Sequence, residues 1–139
     1  MRNRRFELGF LLRAIKIKER RMETADRIRR ILRDYPHINE VESWGETAFF
    51  YNPDGEPRGT YLCTVKYGNH FNYASDKQGF LQKHGKIARG THQFDGRVKP
   101  HEHYAWMQWM TIIDPTNAEA RAAIKEAFAR IAPNAPAPR

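Results

Sequence analysis

Five of the six histidines fall between residues 70 and 103, namely His70, His84, His92, His101 and His103. In an extended segment His101 and His103, two apart, present both imidazoles on one side. His92 or His70 would then supply a third ligand of a two-His-plus-one metal site, with Glu102 pointing away. No downstream Glu and His are spaced to complete that pattern. Nucleophilic chemistry has less support still. The only serines are Ser43 and Ser75, no GxSxG elbow is present, and Cys63 sits in the apolar run TYLCTVKY, where a thiolate would be costly. There is no phosphate-binding loop, dinucleotide fingerprint or cysteine pair for zinc. No catalytic residue, metal or cofactor is therefore assigned.

Charge and aromatic rings carry more. The chain of 139 residues has a formal charge of +8, and residues 1–21 hold eight Lys/Arg against two Glu, so +6 of it lies there. Arg27, Arg29, Arg30 and Arg33 continue the basic character. The basic candidates for phosphate contact are Arg4, Arg5, Arg27, Arg30 and Arg33. Trp44, Phe49, Tyr51, Tyr61, Tyr67, Trp106 and Trp109 lie on expected strands. Those facing away from helices would line a pocket or stack on bases, with Trp106 and Tyr51 the stacking candidates.

The elements that must position these residues follow from periodicity. Residues 1–21 read as a basic N-terminal extension with a short apolar centre (Phe10, Leu11, Leu12), which lacks the length and cleavage site of a signal peptide. From Thr24, a plausible N-cap, Ala25, Ile28, Ile31, Leu32 and Tyr35 recur at helical spacing, and Pro36 stops the helix. Strands are expected near Val41–Ser43 and Thr47–Tyr51, hinged at Gly45, and over Thr60–Tyr67. In the third strand, alternation puts Tyr61, Cys63, Val65 and Tyr67 on one face and Leu62, Thr64 and Lys66 on the other. Residues 68–102 read as a long irregular segment with a short helix around Phe80–Ile87, and such segments are often functional.

The stretch His103–Asp114, HYAWMQWMTIID, reads as one long central strand. Tyr104, Trp106, Gln108, Met110 and Ile112 would share one face. Thr116 and Glu119 have the spacing of a capping box, and a final helix is expected over Asn117–Ile131. The tail 133–139 is expected to be disordered. No apolar run approaches the roughly 18 residues of a membrane span, and a lone cysteine in an apolar run suits a reducing cytoplasm.

Read together, ESWGETAFFYNPDGEPRGTYLCTVKYG and HYAWMQWMTIIDP with its capped helix resemble the MmcQ/YjbR-like proteins of bacteria over roughly Thr24 to Ile131. The resemblance implies a two-layer α+β fold, YjbR-like or secretion-chaperone-like, with N- and C-terminal helices on one face of an antiparallel sheet of about four to five strands. Proteins of this group are commonly labelled DNA-binding. Met107 and Gln108 depart from the basic residues expected before the last-strand tryptophan.

The expected organisation is one domain, residues 22–132, between the extension and the tail. The leading functional expectation is a non-catalytic cytoplasmic domain that binds DNA or RNA through the basic region and an aromatic sheet face. The alternative is a small-molecule site, sequestering or enzymatic, on the open sheet face, lined by Tyr51, Lys66, His70, His101, His103 and Trp106. A homodimer through the same apolar face is the third option, and no membrane partner is expected.

Overall fold

The structure is a computed structural model that describes residues 4–136 and 138. Helix α1 spans Arg4–Leu32. Four strands follow, β1 (Ile38–Ser43), β2 (Glu46–Tyr51), β3 (Thr60–Lys66) and β4 (His70–Ala74), then helix α2 (Lys77–His84). A long excursion leads to β5 (Val98–Pro100), a 3-10 turn (Ala105–Met107), β6 (Trp109–Ile113) and helix α3 (Asn117–Ile131). The six strands form one antiparallel sheet in the order β1-β2-β3-β4-β6-β5.

The expected α+β architecture is thus present, with six strands where about four to five were expected. Strand β4 lies in a segment read as loop, although Phe71 and Tyr73 alternate there with His70 and Asn72. Strand β5 is only three residues long. Its sequence, VKP, is too short to show a period.

One face of the sheet is the core. Ala25, Ile28 and Leu32 of α1 and Ala120, Ile124, Ala127 and Phe128 of α3 pack on Phe49, Leu62, Val65, Phe71, Met110 and Ile112. Each large side chain so buried contributes roughly 1.5–3 kcal/mol. Tyr51 belongs to this face, its ring meeting Phe128 edge-on at 5.5 Å. Cys63 is fully buried in the same layer, and burial pushes its thiol pKa up.

Three local expectations are corrected. Thr24 is buried inside α1 rather than capping a helix start, because α1 runs without a break through residues 21 and 22. The third strand does not alternate strictly. Phe49 pairs Cys63 and Phe50 pairs Tyr61, so Leu62 is the extra residue of a β-bulge. That shift sends Leu62 into the core with Cys63 and Val65, and moves Tyr61 to the open face with Thr64 and Lys66.

The long strand from His103 is also shorter than its composition suggests. Residues 105–107 form a 3-10 turn, Gln108 takes φ 58°, and only Trp109–Ile113 is strand. Tertiary bonds override local β-propensity here, because Arg130 of α3 holds the turn. Its Nη1 donates to Ser75 O (2.9 Å) and Gln108 O (3.0 Å), and its Nη2 donates to Met107 O (2.8 Å). The capping box at Thr116 and Glu119 is formed as expected, and Arg97 binds the same Glu119 carboxylate through both nitrogens.

Replacing Arg130 by Met should lower the unfolding free energy by about 2 kcal/mol, since charged donors to three carbonyls are lost together. Arg130→Lys should recover only part, because an ammonium lacks the planar fork. Urea denaturation midpoints of the two variants check this.

Candidate functional site

The sheet face opposite α1 and α3 is a groove of about 980 Å³. Its floor comes from β2, β3, β4 and β6, and the segment from His92 to Met107 walls one side. Pairing register arranges the floor in rows across the strands. Val41, Ala48, Thr64, Asn72, Thr111 and Lys99 form the central row, each opposite the next. Two residues along the strands in one direction stand Ser43, Glu46, Lys66 and His70; in the other stand Phe50, Tyr61 and Trp109.

Three residues of the central row form a hydrogen-bond relay. Thr111 Oγ1 donates to Asn72 Oδ1 (2.6 Å), and Asn72 Nδ2 donates to Thr64 Oγ1 (3.1 Å), with all three residues buried. Buried polar groups paired in this way fix strand register and make the middle of the floor rigid. Beside it the rings are packed: Phe50 lies 4.3 Å from Tyr61, and Tyr61 meets Trp109 edge-on at 6.4 Å.

His101 continues this aromatic row beyond the end of β5, its N–H donating to Trp109 O (2.9 Å) and its ring set edge-on to Trp109 at 6.5 Å. Its Nδ1 accepts the backbone N–H groups of His103 (3.0 Å) and Tyr104 (3.2 Å). Both bonds need an unprotonated Nδ1, so the neutral ring carries its proton on Nε2. Burial, and then the charges of His103, Lys66 and His70, lower its pKa to about 4. Burial and Lys99 likewise lower that of His70.

The rim collects exposed rings. Trp44 is 99% exposed at the two-residue tip of the β1–β2 hairpin, where Trp44 (φ 51°) and Gly45 (φ 75°) both take the left-handed region of a type I′ turn. Trp44 was expected on a strand. A bulky residue at positive φ is strained, which makes the position notable. Tyr67, with φ 54°, stands on the next hairpin at the same end of the sheet.

Of the residues expected to line a small-molecule site, the structure brings together Lys66, His70, His101 and His103. Tyr51 and Trp106 do not join them. Tyr51 points to the helical layer, as its position next to Phe50 requires. Trp106 belongs to the 3-10 turn outside the groove, with the Arg89 guanidinium 4.8 Å from its ring. Both are therefore removed from the groove as stacking residues too. The groove residues that sequence reasoning missed are Thr64, Asn72, Thr111 and Lys99. Asn72 had a visible signal in the alternation of its segment, and Thr64 in sharing a strand face with Lys66.

The arginine candidates lie on the other side of the molecule. Arg30 and Arg33 are exposed on α1, and Arg27 Nη1 donates to Pro115 O at 2.5 Å. Arg4 and Arg5 stand in the first turn of α1, and their side chains lie outside the described residues. The basic helix and the aromatic sheet face are thus separate surfaces. For metal binding, His92 Nε2 donates to Ala88 O (2.8 Å), and among the described residues no three His, Cys, Asp or Glu are grouped to hold an ion.

His101 makes stability depend on pH. Below its ordinary pKa of 6.5 the unfolded chain takes up a proton that the folded chain refuses until about pH 4. Stability contributed by this group should be complete above pH 6.5 and fall as pH drops toward 4. His101→Asn keeps an acceptor for the two backbone N–H groups and removes the titration, so its loss of Tm across that window should be smaller. NMR titration of the His101 ring checks the midpoint directly.

Residues 22–87 match the model of a family of unknown function, DUF6194. The matched part runs from the middle of α1 past the end of α2, and so includes Thr64, Lys66, His70 and Asn72 but not the His92–Met107 wall. No curated protein and no solved structure matches the chain, and none of the comparisons links it to the MmcQ/YjbR-like proteins.

Proposed function

We propose that this protein is a binding domain whose ligand is a small organic molecule held in the sheet-face groove. The observation that carries the reading is the groove itself, about 980 Å³ with a row of packed aromatic rings, a hydrogen-bonded polar floor and a few charged groups around it. That is the usual constitution and upper size range of a ligand pocket. The buried thiol of Cys63 suits a reducing cytoplasm. The MmcQ/YjbR relationship belongs to the same proposal, supported by two helices on one face of an antiparallel sheet and by the Gly45 hairpin.

A ligand at 100 times its Kd adds about 2.7 kcal/mol, roughly 5–10 °C in Tm for a chain of this length. A screen of metabolites and metal ions should therefore give a shift that Tyr61→Ala abolishes. Absence of any shift across the panel would dismiss the groove as a small-molecule site.

Nucleic acid is the second reading, favoured by the unbroken run of α1 through the basic segment. Its contacts would be with phosphates alone, since the aromatic groove faces away from α1. Neutralising Arg30 and Arg33 together to Gln should reduce the slope of log K against log salt by up to about 2. Retention on DNA or RNA that ignores salt would end this reading.

A further inference from the structure

The groove differs along the strands as much as it does across them. At one end Phe50, Tyr61 and Trp109 offer ring faces and edges, with Tyr104 and Met107 above them and both half-exposed. At the other end Lys66 and His70 sit directly opposite each other on β3 and β4, and Lys99 reaches in from β5. Between the two ends lies the Thr64–Asn72–Thr111 relay, in which Thr111 donates to Asn72 and Asn72 donates to Thr64. A ligand lying along the strands therefore meets rings, with Arg58 of the β2–β3 connection at that end, then the threonine–asparagine row with Lys99 at its β5 side, then Lys66 and His70.

We infer that the groove takes an elongated aromatic carboxylate, with its ring system on Phe50, Tyr61 and Trp109 and its carboxylate beside Lys66, His70 and Lys99. This rests on the reading of the groove as a small-molecule site and adds the chemical class of the ligand. The span fits such a molecule. Four residues of strand separate the aromatic row from the charged row, roughly 13 Å at 3.3 Å per residue. A biphenyl carboxylate has about this length, and a single benzene ring does not.

The charge at the far end also fits. Glu46 Oε2 pairs with Lys66 Nζ at 4.0 Å, beyond hydrogen-bond length, so the ammonium keeps N–H groups to donate to an incoming carboxylate. Glu102 faces His103 Nε2 at 3.9 Å, and Asp95 of the wall also lines the groove. Burial, His103 and then Lys66 lower the His101 pKa; burial and then Lys99 lower that of His70, against Asp114 and Glu102, which raise it. The His70 imidazole adds a ring N–H donor at the same end. The carboxylate would lie among two ammonium groups and an imidazole, partly shielded from water by the His92–Met107 wall.

The test is calorimetric titration of the full chain with three probes: biphenyl-4-carboxylate, the neutral biphenyl-4-methanol, and benzoate. The carboxylate should bind at least tenfold more tightly than either comparison compound. Replacing Lys66 and Lys99 together by Ala should erase its advantage over the alcohol while leaving the affinity for the alcohol unchanged. Tyr61→Ala should weaken both biphenyls about tenfold. If that variant melts early, Tyr61→Leu keeps the bulk and should still weaken both.

Equal affinity for the carboxylate and the alcohol in the unaltered chain, or an advantage that survives loss of both lysines, overturns the inference. Failure of all three probes overturns it as well, and a hit of another class in the thermal screen would then leave the groove standing as a small-molecule site. Concentration-dependent dimerisation that Trp44→Ala abolishes, with no probe bound, would give the groove to a second copy of the chain and overturn both readings.

Discussion

Burial of one sheet face beneath α1 and α3 is the constraint on which everything else in this molecule depends. Phe49, Leu62, Phe71 and Ile124 are almost wholly removed from water, and they can be so only if the strands keep a single register. Because side chains alternate, that register also fixes which residues stand on the other face. Glu46, Ala48 and Phe50 come to the groove as a consequence of Phe49 going to the core.

The bulge at Leu62 is the one place where this rule is broken, and it is broken to the benefit of both faces. Strict alternation would have put Tyr61 beneath the helices and Leu62 in the groove. The extra residue puts the aliphatic chain in the core and the tyrosine beside Phe50. Bulges often re-aim a side chain next to a functional surface, and this one completes the aromatic row.

The wall of the groove has a different physical basis. Between Gly85 and Val98 there is little regular structure, so the segment is held by specific polar contacts. His92 N donates to Glu102 O (2.9 Å), Ala105 N donates to His101 O (3.1 Å), and the His101 ring ties down two backbone N–H groups. Arg130 closes the far end from α3, so the helix that covers the core also braces the groove. The half-buried His101 and the hydrogen-bonded Asn72 leave the middle of the floor without a carboxylate, and Lys66 and Lys99 stand to one side of the aromatic row.

Local sequence was enough to establish the elements with a strong period or a specific cap. The α3 helix with its Thr116–Glu119 box, the first hairpin at Gly45, and the Ala25–Ile28–Leu32 stripe all follow from spacing alone. So did the placing of four groove residues, Lys66, His70, His101 and His103, because polar side chains in or beside a sheet rarely point into its core. What only the tertiary structure decided was the bulge, the break of the expected long strand at Gln108, and the side on which Tyr51 and Trp106 lie. In each case the deciding partner is distant in the chain: strand β2 for Leu62, Arg130 for residues 107 and 108, and Phe128 for Tyr51. Propensity and period report on a residue's neighbours in sequence, and they carry no information about a carbonyl that a guanidinium some 22 positions away will hold.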